Sequence, residues 1–364
     1  MIETAEATAA TLDADLPQFA TAGRRAWRFH ALALLVLLAL LLAALTLGEF
    51  TLAPAALWAA FTDGHSAQLT REIVINFRLP GAITALCAGL ALGVSGLLMQ
   101  TLFQNPLAGP FVLGTDAGAS LGVALMMLAG SRWDLAAHLP PFLLPLGTAA
   151  AAILGAGAVM LIIGVVAMRL EHPATLVVVG LMLSLLVGSL VSVLVYFSSP
   201  EQLYGFVMWG LGSFGGMTWT RLGVFVPLVL AGFALSLMLP KALNALTLGP
   251  LYAASLGVNT RRVSWVVILV SSCLAGATTA FCGPIGVLGT AIPHVARGLL
   301  RSADHRLLLP ACASVGAAIA LLAEILARTP GEGTGLPLNA VTALVAAPVV
   351  LWVLFHNLRF ESGQ

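Results

Sequence analysis

At 364 residues, with 60% hydrophobic and only 9% charged positions, the chain falls outside the water-soluble class, whose domains carry about 25% charged residues. Its net charge of +1 creates no field that would favour nucleic acid or an acidic partner. The apolar residues form continuous runs of bilayer-crossing length, about 20 residues each, and not the alternating segments of about 10 residues that build a membrane β-barrel, so the fold class is all-α and polytopic.

Residues 1–28 read as a polar cytoplasmic tail. Met1 to Gly23 is rich in Ala and Thr and carries Glu3, Glu6, Asp13 and Asp15, a composition that buries no core. Arg24, Arg25 and Arg28 stand directly before the first apolar run and mark it as an uncleaved helix whose N-terminus stays in the cytoplasm. Ten spans are expected: Phe29 to Leu47, Gly81 to Phe103, Val112 to Gly130, Phe142 to Met168, Ala174 to Phe197, Leu222 to Leu239, Arg262 to Phe281, Gly289 to Leu300, Leu307 to Ala327 and Leu338 to Phe355. They make residues 29–358 a transmembrane domain and leave 359–364 as a cytoplasmic tail. The eighth span is short for a bilayer, so a broken or re-entrant stretch is expected at Gly283-Pro284, where protein or a water-filled cavity must cover the backbone.

This count puts Arg24, Arg25, Arg28, Arg169, Lys241, Arg261, Arg262, Arg297, Arg301, Arg306 and Arg359 inside, against Arg71, Arg78, Arg132, Arg221 and Arg328 outside. Such an excess obeys the positive-inside rule and places both termini in the cytoplasm. Cys87, Cys273, Cys282 and Cys312 lie in apolar segments without Cys-x-x-Cys spacing and read as packing residues. The pairs Gly89/Gly93 and Gly118/Gly122 read as close helix contacts.

Three loops break the apolar background. Asn105-Pro106-Leu107-Ala108-Gly109-Pro110 joins the second and third spans. Leu248-Gly249-Pro250-Leu251-Tyr252-Ala253-Ala254-Ser255-Leu256-Gly257 lies between the sixth and seventh. Cys282-Gly283-Pro284-Ile285-Gly286-Val287-Leu288-Gly289, with Ile292-Pro293-His294-Val295-Ala296-Arg297 behind it, leads into the eighth. With Phe77-Arg78-Leu79-Pro80, Glu324-Ile325-Leu326-Ala327-Arg328-Thr329 and the segment Pro337 to Trp352, these resemble, in order and spacing, the FecCD-type permeases. That family supplies the membrane subunits of ABC importers for ferric siderophores, haem and cobalamin.

The resemblance implies a homodimer in the bacterial inner membrane, with its path along the two-fold axis. An ATPase would dock below each permease and a periplasmic binding protein above. ATP and Mg would sit on the ATPase, so this chain is expected to hold no cofactor, no metal and no catalytic residue; no Gly-x-x-x-x-Gly-Lys loop occurs in it. Leu248, Gly249, Ala253, Ala254, Leu256, Gly257 and Arg261, within a loop at about 241–262, are the expected ATPase-coupling residues. Asn105, Pro106, Leu107, His172, Pro173, Thr175, Ser184 and Ser189 are the expected gate and path. Arg78 and Arg328 match positions that meet glutamates of the binding protein, although Gly81 replaces a further family arginine. The plainer reading is that Arg78 anchors its helix and Arg328 neutralises Glu324, four residues earlier on one helix face.

His294 reads as a hydrogen-bonded structural residue and Asp116 as a cap for the third span. A proton- or sodium-driven carrier would place ionisable groups at mid-membrane, and the two intramembrane acids, Asp116 and Glu324, lie near span ends. An intramembrane enzyme would need a metal motif or a nucleophile with its base, and neither is visible. Aliphatic residues along the fifth span favour haem as substrate over a siderophore or cobalamin.

Overall fold

The computed structural model describes residues 26–48, 50–62, 68–111, 113–129, 147–167, 173–329 and 335–361. All regular structure among them is helical: α1 (Ala26–Thr46), α2 (Pro54–Thr62), α3 (Gln68–Ile73), α4 (Leu79–Phe103), α5 (Thr115–Ala124), α6 (Thr148–Ala167), α7 (Pro173–Tyr196), α8 (Pro200–Gly210), α9 (Trp219–Ser236), α10 (Pro240–Thr247), α11 (Pro250–Ser255), α12 (Thr260–Cys282), α13 (Leu288–Leu300), α14 (His305–Arg328) and α15 (Leu338–Glu361). A π-helical turn at Val74–Arg78 fuses α3 to α4, and another at Leu125–Ala129 extends α5. Each of the ten expected spans coincides with a helix. Seven helices among the described residues are long and apolar enough to cross a membrane; Thr115–Ala129 and Leu338–Pro348 are shorter apolar helices, and α13 has only 13 residues. Residues 1–25 of the expected tail and 362–364 lie outside the described residues.

Helix ends fall where side chains or backbone chemistry stop them. Thr218, Asn259 and Asp304 accept the backbone N–H of Arg221, Arg262 and Arg306 and cap α9, α12 and α14. Ser199 and Gln202 form a reciprocal capping box on α8. Helix α12 ends at Cys282, followed by Gly283 and by Pro284, which has no N–H to continue the ladder. The non-helical stretch before α13 is covered by protein: Ser213 N donates to the Cys282 carbonyl at 2.8 Å and Ile285 is fully buried.

Helix α4 is the axis of the bundle. It is buried along nearly its whole length and packs against α14, α12, α13 and α9, as a helix apolar on all sides must. Glycines set the spacing. A Cβ on Gly89 would strike the Gly316 carbonyl of α14, one on Gly316 would strike the Gly89 carbonyl, and one on Gly96 would strike Gly289 of α13. Bilayer lipid is as apolar as a leucine, so helix association rests on such close approach and on interhelical hydrogen bonds. Ser95 and Ser271 supply the latter between α4 and α12, with hydroxyls 2.7 Å apart and each bonded to the other's carbonyl at 2.9 and 3.1 Å.

The coupling segment at about 241–262, expected as a loop, holds the short helices α10 and α11, and α2, α3 and α8 are short helices between the expected spans. Each is too short to form alone, since isolated helices below about 12 residues are marginal, and of the five only α8 has a side-chain cap among the described residues.

Candidate functional site

At the end of the bundle where α4 terminates, the expected coupling loop is a pair of helices, α10 and α11. Gly249 and Gly257 bracket α11 with φ of +108° and +81°, backbone angles that L-residues with a Cβ rarely adopt. Between them Ala253 is fully buried, backed by Ala245, Leu246, Val258 and Val263. Leu248, Leu251, Tyr252 and Leu256 point away, with Leu251 89% exposed; Ala254 and Arg261 are exposed as well. An exposed apolar patch of this kind is open to a partner protein or to the membrane surface.

Beside it lies the α4–α5 loop. Gln104 closes α4 in a left-handed conformation and its amide donates to the Leu246 carbonyl of α10 at 2.8 Å. Asn105 Oδ1 accepts the Leu107 N–H at 2.9 Å, the local turn that Asn favours, and Leu107 is exposed. His294 of α13 donates from Nε2 to the Pro106 carbonyl at 2.8 Å, which is the structural role expected of it. Arg297 donates to Gln100 Oε1 at 2.7 Å, and Gln100 to the Thr290 carbonyl at 3.1 Å. Asp116 does not cap α5. The cap position is Gly114, and Asp116 stands in the first turn, where the helix dipole favours a carboxylate.

The path residues gather only in part. Pro173 opens α7; His172 lies outside the described residues. Thr175 is exposed. Ser184 and Ser189 donate back to the Gly180 and Leu185 carbonyls at 2.8 and 2.9 Å, as Ser192 does to Gly188 at 3.0 Å. Their hydroxyls are therefore spent within α7, whose Val178, Leu181, Met182, Leu185, Leu186, Leu190 and Val193 are exposed. Ser184 is packed close to Gly114 at the start of α5, which brings the fifth span against the loop.

At the opposite end of α4 stand the two arginines expected at the docking face, and both make the internal contacts of the plainer reading. Arg78 is 6% exposed. Its Nη1 donates to the Leu45 and Thr46 carbonyls at 2.8 and 2.9 Å and its Nη2 to the Phe50 carbonyl. The guanidinium thus satisfies carbonyls that α1 leaves orphaned at its C-terminus. Arg328 pairs with Glu324, with the arginine side chain 22% and the carboxylate side chain 4% exposed. A Cβ at position 81 would meet that guanidinium, so Gly81 leaves room for the ion pair in this arrangement.

Sequence reading missed a buried polar cluster where α10 meets the bundle. Asn244 Oδ1 accepts from the His305 N–H at 2.9 Å and from the His305 ring Nδ1 at 2.7 Å, while Asn244 Nδ2 donates to Asp304 Oδ1 at 2.7 Å. His305 Nε2 meets the Thr101 hydroxyl of α4 at 2.8 Å. Burial works to raise the Asp304 carboxyl, but the Asn244 amide, the Arg306 N–H and the Arg306 charge outweigh it and hold the carboxyl below its ordinary range. The available signal was the bunching of polar residues at span ends, Gln100, Thr101 and Gln104 on one and Asp304, His305 and Arg306 on another. Among the described residues no three His, Cys, Asp or Glu side chains come together as a metal site.

The sequence matches the FecCD transport family over residues 35–356. The hemin transport system permease protein HmuU of Yersinia pestis is 36% identical over 332 residues, covering 91% of this chain and 96% of that protein. The vitamin B12 import system permease protein BtuC of Salmonella typhi is 35% identical over 329 residues, covering 90% and 95%. A solved structure presented as an inward-facing conformation of the metal-chelate type of ABC transporter matches with a TM-score of 0.77 and 29% identity, over 89% of this chain and 97% of that one.

Proposed function

Because the chain belongs to the FecCD transport family, we propose that it is the permease of an ATP-driven importer that carries haem from a periplasmic binding protein to the cytoplasm. The observation that carries this reading is the α10–α11 pair, with Leu248, Leu251, Tyr252 and Leu256 exposed on elements anchored by buried Ala253. An importer permease needs such a face for its ATPase, whereas an ion-coupled carrier has no use for one. ATP and Mg then belong to the ATPase, and Leu248, Gly249, Ala253, Ala254, Leu256, Gly257 and Arg261 are the coupling set.

A homodimer in the bacterial inner membrane, with both termini cytoplasmic, is the corresponding assembly. Its support is α7, a helix of bilayer length whose most hydrophobic stretch is only 17% buried within one chain. A second copy facing it would enclose a path lined by Thr175, Ser184 and Ser189, with Asn105, Pro106, Leu107, His172 and Pro173 at the exit. At the outer face, docking of the binding protein falls to Arg328, since the Arg78 guanidinium is committed to α1.

Haem is favoured over cobalamin or a ferric siderophore because the serine hydroxyls of α7 are bonded to their own helix and leave an aliphatic face suited to a flat apolar ligand. The hemin permease among the relatives supports the same choice. The test is uptake into proteoliposomes that hold the permease with its ATPase and binding protein, supplied with haem, cobalamin or a ferric siderophore. The expected result is haem uptake that neither competitor displaces. Cobalamin or siderophore uptake in the absence of haem uptake would overturn the assignment.

A further inference from the structure

The docking helices are joined to the bundle in an unusual way. Behind α11 and the end of α10 lies only the small apolar cluster of Ala245, Leu246 and Ala253, separate from the main core, which Leu243 alone of these two helices reaches. Beside these and the Gln104 amide on the Leu246 carbonyl, α10 is tied to α14 by directional polar bonds. Asn244 holds Asp304 and both the backbone and ring of His305, and His305, 2% exposed, passes the chain of bonds to Thr101 on α4.

An amide oxygen only accepts, so His305 Nδ1 carries a proton toward Asn244, and the bare Nε2 accepts from the Thr101 hydroxyl, which shares its proton with the Leu97 carbonyl at 2.9 Å. Apolar contacts let one helix slide over another at small cost. A hydrogen-bond chain that runs from half-buried Asn244 to the buried Thr101–His305 pair does not, because a shift there breaks directional bonds at groups shielded from water. Thr101 and His305 also sit on the two helices, α4 and α14, that touch backbone to backbone at Gly89 and Gly316; at the docking end the Thr101–His305 bond adds a directional tie between them.

We infer that Asn244, His305 and Thr101 are the positioning residues through which displacement of the docking helices is passed to the α4–α14 unit. The inference rests on the reading of α10 and α11 as the ATPase-docking surface.

The test uses the complete permease–ATPase complex in nanodiscs, nucleotide-free or trapped with ATP and vanadate, with amide hydrogen exchange read at the start of α14 and the last turn of α4. Wild type is expected to show exchange rates there that differ at least about tenfold between the two states. In Asn244→Ala and His305→Ala the difference falls below about twofold although the ATPase stays bound. His305→Asn, whose side-chain amide can donate as Nδ1 does, restores the response at α14. Thr101→Val, which removes a hydroxyl with little change in shape, loses the response at α4 and keeps it at α14. Should Asn244→Ala fail to assemble, the Thr101→Val and His305→Asn pair decides the matter. An undiminished response in Thr101→Val, or in alanine variants that retain the ATPase, would overturn the inference; a wild-type permease that retains no ATPase would overturn the docking reading beneath it.

Discussion

Replacing Gly89 by leucine is expected to leave no folded permease in the membrane. The position is not merely crowded. A Cβ there meets the Gly316 carbonyl, and the reciprocal Cβ on Gly316 meets the Gly89 carbonyl, so the obstacle is backbone on both sides and no rotamer can move it. Four residues on, a Cβ on Gly93 would meet the Cys312 carbonyl, so α4 and α14 cannot part locally without opening the whole seam. Overpacking a core costs about 1–3 kcal/mol even where side chains can adjust; here they cannot, and the marginal stability of a protein, about 5–15 kcal/mol, leaves little reserve. Gly157→Leu provides the control. That glycine has open space around it and lines an apolar groove of about 920 Å³ between α6, α9 and α12, so the added side chain can be accommodated. Size-exclusion profiles and thermal melts of the two purified variants check this: loss of the monodisperse species for Gly89→Leu with Gly157→Leu unchanged is expected, and a wild-type melt for Gly89→Leu would contradict the packing account.

Leu251→Asp is expected to release the ATPase while the permease still inserts and folds. Leu251 is 89% exposed, so the substitution removes no internal contact and costs the fold nothing, whereas a carboxylate buried without a partner in a docking interface is strongly unfavourable. Hot-spot truncations cost 2 kcal/mol or more, a drop in affinity of about 30-fold. Gly257→Val should weaken docking less. Nothing lies within contact distance of its Cβ, but φ is +81°, and a β-branched residue in that region strains the turn by about 1–2 kcal/mol. Ala253→Asp, at a fully buried position, should instead unfold α11. Co-purification of the ATPase with each variant reads the series, and full retention by Leu251→Asp would place the docking surface elsewhere.

Much of this architecture was written in the one-dimensional pattern of apolar runs, because a bilayer demands a helix wherever a run of about 20 apolar residues occurs. That is why each of the ten expected spans overlaps a helix among the described residues, and why the Gly-Pro break at 283–284 is legible in the sequence. Loops that interrupt such a pattern stand out, so the segment from Leu248 to Gly257 and the Asn105-Pro106 turn were legible too. What pattern cannot convey is where a polar side chain finds its partner. Arg78 sits at a span boundary and reads as either a docking residue or an anchor; the carbonyls of Leu45, Thr46 and Phe50 that it meets from a π-helical turn are not announced by the sequence. The Asn244–His305–Thr101 chain joins residues 61 and 204 positions apart, a juxtaposition created only by the packing of α14 on α4.

The central claim is that ATP hydrolysis by a separate subunit drives import through this permease. Uptake of haem into proteoliposomes measures it most directly, with permease, ATPase and binding protein present and either ATP or an imposed proton gradient as the energy source. The account predicts uptake with ATP and none when ATP is withheld, whatever the gradient; gradient-driven uptake by the permease alone would contradict it.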